Sequence, residues 1–490
     1  MPMNVASHVP AGRFLALAIL AVLGLSATVS AHAAIYYVDA LIGNDSAAGS
    51  QVAPKKTIAG GLKMLSSSGG DVVQINAGTY AESVSSVTAG KSGAYNVVRA
   101  TVDGTVVIKG ALDLGTGDHF LQFEGLKWDD QSTKVILGRY LKFLRCAFKG
   151  GPSSGNVVTV QIGSNDNTPG AQFVLLEDSW VYGLGGRYKV LVYNSDKIVL
   201  RRVVVRHDGG WTYDGNNPEA GIALYDSTNV EMQNSMVVDS LTGLPGWESN
   251  VYLVSNSTTS QRAANVNVRG SIVLGGGGNG MAWDGASAYL SSLLEDVVVW
   301  GPTAGGIATN GSANKGTVNR ATVKSGGAAF ADWKSAGGVN ITNSIAYQNS
   351  GNACESISAT TSVAFGNGGN NCGTTLDPTK NGLKFLPRIE SGSPLATMGS
   401  GGGQIGAQIV NKMGVSGTLW GDTGYNTLQS DSLWPWPYES RIKADMSEVN
   451  SRGFTTSTLS LTDYLWAQLG TASPIAKGAV PNPPTDVSVQ

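Results

Sequence analysis

The chain has 490 residues, of which only 14% are charged and 66 are glycine, so charge is well below and glycine well above the usual share. The 33 basic and 35 acidic residues give a net charge of −2, which argues against a nucleic-acid-binding protein because such proteins normally carry a basic excess. A hydrophobic content of 42% is enough for a folded core and argues against a disordered chain.

Residues 1–33 have the pattern of a secretory signal peptide. Arg13 precedes an apolar run at residues 14–25, and AHA at residues 31–33 matches the small-x-small cleavage pattern. The run is shorter than the about 20 residues that a membrane span needs. We therefore expect a secreted protein (extracellular, periplasmic or at the cell surface) whose mature chain has no membrane span.

A short pattern recurs eight times between residues 143 and 346. Each copy has an apolar residue, then a polar residue or glycine two positions later, then a further apolar stretch, which is typical of two short strands joined at a bend. The copies follow one another at intervals of 23 to 36 residues, and Gly125 and Thr361 extend the series. The central residues, which we expect at the bends, are Arg145, Asp178, Arg202, Asn234, Gly270, Asp296, Arg320 and Asn343.

A third short apolar segment precedes each pair of strands, for example at residues 190–192, 221–224 and 280–283. Three short strands per coil predict an all-β fold, a parallel β-helix of about ten or more coils at residues 34–408. Loops of different length at one corner would account for the variable intervals. A β-sandwich or a propeller is the competing fold, but the hairpin dipeptides typical of antiparallel strands are scarce.

The start of this region carries a more specific signature. IYYVD at residues 35–39, GND at 43–45, PKKTI at 54–58 and AGTY at 77–80 resemble the opening of secreted right-handed parallel β-helix proteins of the pectate-lyase-like superfamily. GSP at residues 392–394 and QIG at 404–406 resemble the closing segment of the same family. The resemblance implies a right-handed helix whose N-terminal end is covered by an amphipathic capping helix at residues 54–65.

The three cysteines are too few for a disulfide scaffold and have no metal-ligand spacing. Cys354 and Cys372 could pair in an oxidising compartment, whereas Cys146 lies in an apolar strand pattern and is expected in the core.

Residues 409–470 differ from the repeat and include the aromatic motif LWPWP at 433–437. Short helices are predicted at residues 438–446 and 462–469, the second with Thr462 as its N-cap. We expect residues 409–470 to form an extension that packs on the β-helix, and residues 471–490 to be a linker-like tail. The protein is expected to be a monomer.

Candidate binding residues follow from the repeat. Lys149, Tyr182 and Arg206 occupy the fourth position after the bend on three successive coils, so a basic–aromatic–basic stripe is expected to span roughly 10 Å. Such a stripe would suit an anionic polymer, and a polysaccharide is the expected partner. The candidate substrate-binding aromatic residues are Tyr182, Trp211, Tyr213, Trp247 and Tyr252.

The resemblance implies a chemistry for this surface. Lyases of the superfamily act on acidic polysaccharides: a basic residue abstracts the proton next to a uronate carboxyl group, and a cation, often Ca²⁺, neutralises that group. Arg206 and Lys149 are the candidate bases, with His207 as a further catalytic candidate. The candidate Ca²⁺ ligands, which would be hard carboxylate oxygens, are Asp208, Asp214 and Glu219.

Three functions stay open at this point. The chain could be a lyase or epimerase acting on acidic glycans, or a non-catalytic structural or adhesive rod that binds glycans. It could also be a glycoside hydrolase with two carboxylates drawn from Asp208, Asp214, Glu219 and Glu248. An enzyme needs its side chains to converge on one groove, with a floor of small outward residues such as Ala223, Ala282 and Ala308.

Overall fold

The structure, a computed structural model, describes residues 33–150, 157–164, 170–184, 186–209, 220–241, 249–254, 264–285, 290–311, 315–335 and 337–475. Within these ranges the strands form a parallel sheet of 24 strands, a parallel sheet of 11 strands and an antiparallel pair. Each coil gives two strands to the larger sheet and one to the smaller, so the chain winds as a right-handed parallel β-helix, as the repeat and the resemblance predict. Most of the expected signal peptide and the last 15 residues lie outside the described residues.

The strands of the described residues in chain order are β1 (Ile35–Val38), β2 (Val72–Ile75), β3 (Gly78–Tyr80), β4 (Val84–Ser85), β5 (Asn96–Ala100), β6 (Val106–Ile108), β7 (Leu112–Leu114), β8 (His119–Glu124), β9 (Leu126–Asp129), β10 (Lys134–Ile136), β11 (Arg139–Leu144), β12 (Ala147–Gly150), β13 (Val158–Gly163), β14 (Gln172–Glu177), β15 (Trp180–Gly183), β16 (Tyr188–Tyr193), β17 (Asp196–Arg201), β18 (Val204–His207) and β19 (Ala220–Tyr225). They continue as β20 (Thr228–Gln233), β21 (Met236–Val238), β22 (Ser249–Val254), β23 (Ala264–Arg269), β24 (Ile272–Leu274), β25 (Asn279–Asp284), β26 (Leu290–Trp300), β27 (Ile307–Thr309), β28 (Gly316–Lys324), β29 (Phe330–Asp332), β30 (Val339–Thr342), β31 (Ile345–Tyr347), β32 (Cys354–Glu355), β33 (Ala359–Thr360), β34 (Val363–Phe365), β35 (Thr374–Thr375), β36 (Asn411–Met413) and β37 (Leu428–Ser432). The α-helices are α1 (Ile58–Leu62), α2 (Pro378–Asn381), α3 (Glu439–Ser447) and α4 (Leu461–Trp466), and short 3₁₀ turns lie at Pro394–Ala396, Ser400–Gly402, Gly453–Thr455 and Ala467–Leu469.

The core consists of inward side chains that stack from coil to coil. Leu200 lies beside Met232 in register, Met232 beside Val268, and Val268 beside Leu294. All four side chains are fully buried. Because side chains alternate between the two faces of a strand, this aliphatic file fixes which residues of each coil point outward.

The bends lie where the repeat predicts them. All eight central residues have left-handed backbone conformations, with φ between 44° and 57°, and Gly125 and Thr361 continue the series. Polar residues and glycine are enriched in this region of conformational space, which explains why the repeat shows them there.

The residue after the bend is often serine, and its hydroxyl accepts a hydrogen bond from a backbone N–H of the preceding coil. The N–H of Cys146 donates to Oγ of Ser179 at 3.0 Å, and the N–H of Val203 donates to Oγ of Ser235 at 3.1 Å. The N–H of Ser235 in turn donates to Oγ of Ser271 at 3.1 Å. These inward hydroxyls accept backbone donors that the irregular bend would otherwise leave unpaired in the core.

The ends of the helix differ in part from expectation. Helix α1 covers only Ile58–Leu62, shorter than the expected capping helix at residues 54–65, although Ile58 and Leu62 pack into the core.

Cys354 and Cys372 form a disulfide, and Cys146 is buried in the core. No helix among the described residues is long and apolar enough to cross a membrane.

Residues 409–475, the C-terminal segment, pack against outward side chains of the 24-stranded sheet. Ile442, Met446 and Phe454 of this segment are buried with Trp180 and Val204 of the β-helix. Helices α3 and α4 lie close to the predicted positions, but the N-cap of α4 is Ser460, whose Oγ accepts the N–H of Asp463, and not Thr462.

Candidate functional site

The stripe expected from the repeat forms, but the chain itself covers it. Lys149 lies beside Tyr182 in register and Tyr182 beside Arg206, on β12, β15 and β18. The side chains of Tyr182 and Arg206 are fully buried, and Tyr182 belongs to the apolar cluster that the C-terminal segment completes. The expected open basic–aromatic–basic groove is therefore corrected to a buried contact with the C-terminal segment.

Arg206 holds the C-terminal segment in place. Its Nη2 donates to the carbonyl oxygens of Met446 at 2.6 Å and Asn450 at 2.8 Å. Lys149 is only a quarter exposed, with Nζ 3.2 Å from Oδ1 of Asp129. Because the Arg206 guanidinium is buried and bonded to the C-terminal segment, it is not placed to act as a base on an external substrate.

His207 is also buried, with its Nε2 2.8 Å from the carbonyl oxygen of Gly186. Burial, together with the nearby charge of Lys189, lowers the pKa of His207 to about 3. The ring is therefore neutral at physiological pH, and its position is internal and not on an open groove.

Asp208, a candidate Ca²⁺ ligand, already has cationic partners. Its Oδ1 lies 2.8 Å from Nε of Arg206 and 3.0 Å from Nη1 of Arg452, and its Oδ2 accepts the N–H of Gly183 at 2.8 Å. Two guanidinium groups neutralise this carboxylate, so its surroundings do not fit a calcium ligand, which needs free oxygen donors around the ion.

Six of the candidate residues predicted from the sequence belong to ranges that the structure does not describe. Trp211, Tyr213, Asp214 and Glu219 lie outside the described residues, as do Trp247 and Glu248, and their roles stay predictions. In the ranges that the structure describes, no three or more His, Cys, Asp or Glu side chains are grouped to hold a metal ion.

Tyr252 belongs to a different surface. It lies on the outer side of the 11-stranded sheet, in a cluster separate from the inward core and from the C-terminal segment. Its O–H donates to the carboxylate of Asp284 on the next coil. We call this surface the tyrosine face, and its defining residues are Tyr188, Tyr193, Tyr225, Tyr252 and Asp284.

The rings of the tyrosine face contact one another across three coils. Ring centroids lie 5.5 Å apart for Tyr193 and Tyr225, 6.1 Å for Tyr225 and Tyr252, and 6.0 Å for Tyr188 and Tyr225. The guanidinium of Arg187 lies 4.8 Å from the ring centre of Tyr188. Tyr193 and Tyr225 are half-buried, while Tyr188 and Tyr252 are almost fully buried.

Small residues continue this surface along the helix axis. Ala223, Tyr252, Ala282 and Ala308 occupy one outward file in register, and Ala331 follows. The file therefore contains the alanines expected as a groove floor, with the Tyr252 ring standing between two of them. It lies on a different sheet from Lys149 and Arg206, so the structure does not bring the expected floor and the expected stripe together.

The protonation states on the tyrosine face suit binding. Burial raises the pKa of Tyr193 and of Tyr225, and burial and then Asp284 raise that of Tyr252. These phenols therefore stay protonated at neutral pH. The half-buried Tyr193 and Tyr225 present an apolar ring and a polar hydroxyl, a combination suited to sugars, which carry hydroxyl groups around a carbon ring.

Sequence reasoning selected Tyr252 but missed Tyr188, Tyr193, Tyr225 and Asp284. A usable signal was present, because Tyr193 and Tyr225 immediately follow the inward residues Val192 and Leu224 and are register partners. Extending the third apolar segment by one residue would have shown two tyrosines at the same outward position.

The similarities found for this chain are to solved structures. No family model and no curated protein sequence matches this chain. It is similar to the solved structure of pectate lyase Pel9A, with 14% identity over 76% of this chain and 95% of that one, at a TM-score of 0.42. It is also similar to XylC in complex with xylose (8% identity, 66% of this chain, 69% of that one, TM-score 0.41) and to the A-module of the Azotobacter vinelandii mannuronan C-5 epimerase AlgE6 (16% identity, 64% and 82%, TM-score 0.38). At these identities the likeness concerns the fold alone.

Proposed function

We propose that this chain binds a polysaccharide along the tyrosine face and works outside the cytoplasm, secreted or at the cell surface. The observation that carries the proposal is the continuous row of ring contacts from Tyr193 through Tyr225 to Tyr252. Tyr193 and Tyr225 are half-buried register partners on neighbouring coils, which suits a polymer of sugar rings because successive sugars can meet successive coils.

The disulfide supports the location. Cys354 and Cys372 are bonded, and disulfides persist mainly in oxidising compartments outside the cytosol. The signal-like residues 1–33 point to the same destination, and cleavage of that segment during export belongs to the proposal.

The geometry favours binding over bond cleavage. Arg206 and His207 are buried, and the Tyr252 hydroxyl and the Asp284 carboxylate satisfy each other. A lyase or epimerase acting on acidic glycans is the catalytic version of this proposal. It would depend on Lys149 or on residues 210–219 and 242–248, which the structure does not describe.

Binding is tested by isothermal titration with polygalacturonate, alginate and neutral xylan. Wild-type protein is expected to bind at least one of them, and Tyr225→Ala to weaken that affinity about tenfold, because it removes the central ring of the row. Tyr37→Ala, at a half-buried tyrosine of β1, is the matched control and should bind normally. Failure of the wild type to bind all three polymers, or full affinity in Tyr225→Ala, would refute the proposal.

The catalytic version is tested separately on the same polymers. Release of unsaturated uronate, followed by its near-ultraviolet absorbance, is measured with added Ca²⁺ and with a chelator. Product that appears with the wild type and disappears in Lys149→Ala would establish a lyase. Binding without product would leave a glycan-binding rod as the function.

A further inference from the structure

A second cleft lies away from the tyrosine face, where bends of the 24-stranded sheet meet the C-terminal segment. Its volume is about 230 Å³. The β-helix contributes Arg269, Glu295, Asp296 and Arg320, and the C-terminal side contributes Gln408 and Asn426. Leu428 on its wall is 63% exposed, so the cleft opens to the surface.

The two acidic groups of this cleft share one guanidinium partner, Arg320. Arg320 donates to both carboxylate oxygens of Asp296, at 2.8 and 2.7 Å, and its Nη2 lies 3.0 Å from Glu295. Oδ1 of Asp296 also accepts the backbone N–H of Gln408 at 3.1 Å. Arg320 is therefore held by these two carboxylates, which leaves Arg269 as the guanidinium of the cleft that can bind a ligand.

The donors of the cleft, in contrast, lack acceptors among the described residues. The Nε of Arg269 is buried without a hydrogen bond, and its nearest carboxylate oxygen, Oε2 of Glu231, is 4.0 Å away. The side-chain oxygen of Gln408 accepts the N–H of Ile389, but its amide nitrogen has no acceptor there. The side chain of Asn426 makes no hydrogen bond within the described ranges.

We propose that this cleft binds a small carboxylate-bearing molecule, such as a single sugar acid, with the Arg269 guanidinium on the carboxylate. A guanidinium is planar and matches a carboxylate through two parallel hydrogen bonds. The amides of Gln408 and Asn426 then donate to the remaining oxygens of the ligand.

The size of the cleft and the charges that line it limit which ligands it can bind. The cleft volume of about 230 Å³ is enough for a small molecule such as a single sugar acid. Glu295 and Asp296 line the same cleft as Arg269 and repel excess negative charge. A single carboxylate therefore fits better than a doubly charged phosphate.

The test is isothermal titration with glucuronate, glucose and inorganic phosphate. Glucuronate is expected to bind saturably, and glucose, which lacks the carboxylate, is not. Arg269→Gln should weaken glucuronate binding by about tenfold or more, and Asn426→Ala by about two- to tenfold, as expected for a charged and a neutral hydrogen bond. Arg139→Gln, at an exposed arginine of β11, is the matched control and should leave the affinity unchanged.

Each alternative result overturns the proposal. Absence of glucuronate binding does so, as does equal affinity for glucose or phosphate, or unchanged affinity in both Arg269→Gln and Asn426→Ala. Circular dichroism and the thermal midpoint establish that each variant is folded. The Asn426 side chain makes no hydrogen bond to other described residues, so Asn426→Ala still tests the proposal if Arg269→Gln misfolds. Tyr225→Ala should bind glucuronate normally, so failure of the tyrosine face as a polysaccharide site is distinguishable from failure of this cleft.

Discussion

Two outer surfaces of the same β-helix carry different kinds of side chain. On the 24-stranded sheet, outward residues such as Trp180 and Arg206 are buried by the C-terminal segment and bonded to it. On the 11-stranded sheet, the outward file consists of alanines and Tyr252, next to the half-buried rings of Tyr193 and Tyr225. The contacts of the C-terminal segment described above fall on the first surface.

The difference between these surfaces shows which positions of the repeat are constrained by folding and which are not. Inward positions must stack and are therefore aliphatic on every coil, whichever sheet they belong to. Outward positions are free of that requirement. Under the C-terminal segment they carry buried ion pairs and large apolar groups, whereas on the 11-stranded sheet they include alanines and tyrosines, of which Tyr193 and Tyr225 are half-buried.

The largest expected effect is at a buried ion pair under the C-terminal segment. The Glu177 carboxylate bonds to Arg202, accepts the N–H of Gly417 at 2.7 Å, and lies 3.5 Å from Arg201. Glu177→Gln removes the charge that compensates two buried guanidinium groups, so we expect it to lower the free energy of unfolding by about 3 kcal/mol. Urea denaturation measures this loss.

The matched control is Glu295→Gln, on the same outward file but 28% exposed and paired with Arg320. It should cost less than about 1 kcal/mol because solvent screens a partly exposed pair. Equal costs at Glu177 and Glu295 would show that the C-terminal segment does not exclude solvent from the covered surface.

A smaller effect is expected at Trp180, where the segment contacts a single ring. Its Nε1 donates to Oδ2 of Asp445 at 2.8 Å, and the guanidinium of Arg441 lies 4.7 Å from the ring. Trp180→Phe keeps an aromatic ring but leaves the carboxylate without this donor, so we expect a loss of about 1–2 kcal/mol. Trp333→Phe, at a tryptophan 41% exposed, should change stability by less than about 0.5 kcal/mol. A loss of stability in Trp333→Phe as large as that in Trp180→Phe would contradict the expected difference between a covered and an exposed tryptophan.

Acid should lower the stability of the fold through Glu177, which lies on the surface that the C-terminal segment covers. Burial alone would raise the pKa of Glu177, but Arg202 and Arg201 together hold it below its ordinary value. A carboxyl group with a depressed folded-state pKa stabilises the fold above its unfolded pKa of about 4.3 and loses that contribution as the pH falls through the folded value.

The measurement is the difference in unfolding free energy between wild type and Glu177→Gln at pH 7, 5, 4 and 3. The difference should be constant from pH 7 to 5 and shrink as the pH falls below the unfolded pKa of about 4.3, because protonation of Glu177 then removes the charge that pairs with the two guanidinium groups. A constant difference over the whole range would show that Glu177 is not the titrating group.

The fold could be predicted from the sequence because its determinants are local and periodic. The bend at Asp178 and the aliphatic position at Leu200 repeat on every coil, so each is supported by many copies of the same physical requirement. The length of α1 was less predictable, because a single short helix has no repeat to support it and packs by tertiary contacts.

The candidate site was harder to predict for a physical reason. The position of Arg206 on an outward file follows from the repeat, but its burial depends on residues 446–455, more than 200 positions later in the chain. Tyr252 was found because it lies in a recurring third strand, whereas its partner Asp284 is one coil away and becomes visible only through the register.

The smallest expected effect on stability is on the tyrosine face itself. Tyr193 is half-buried, and its ring lies 5.5 Å from that of Tyr225. Tyr193→Phe keeps the ring and removes only the hydroxyl, so the free energy of unfolding should change by less than about 0.5 kcal/mol. The same change should weaken polysaccharide binding about two- to tenfold, because a hydroxyl that bonds a sugar contributes to the complex and not to the fold. A large loss of stability with unchanged binding would mean that this surface, like the covered one, serves the fold and not a ligand.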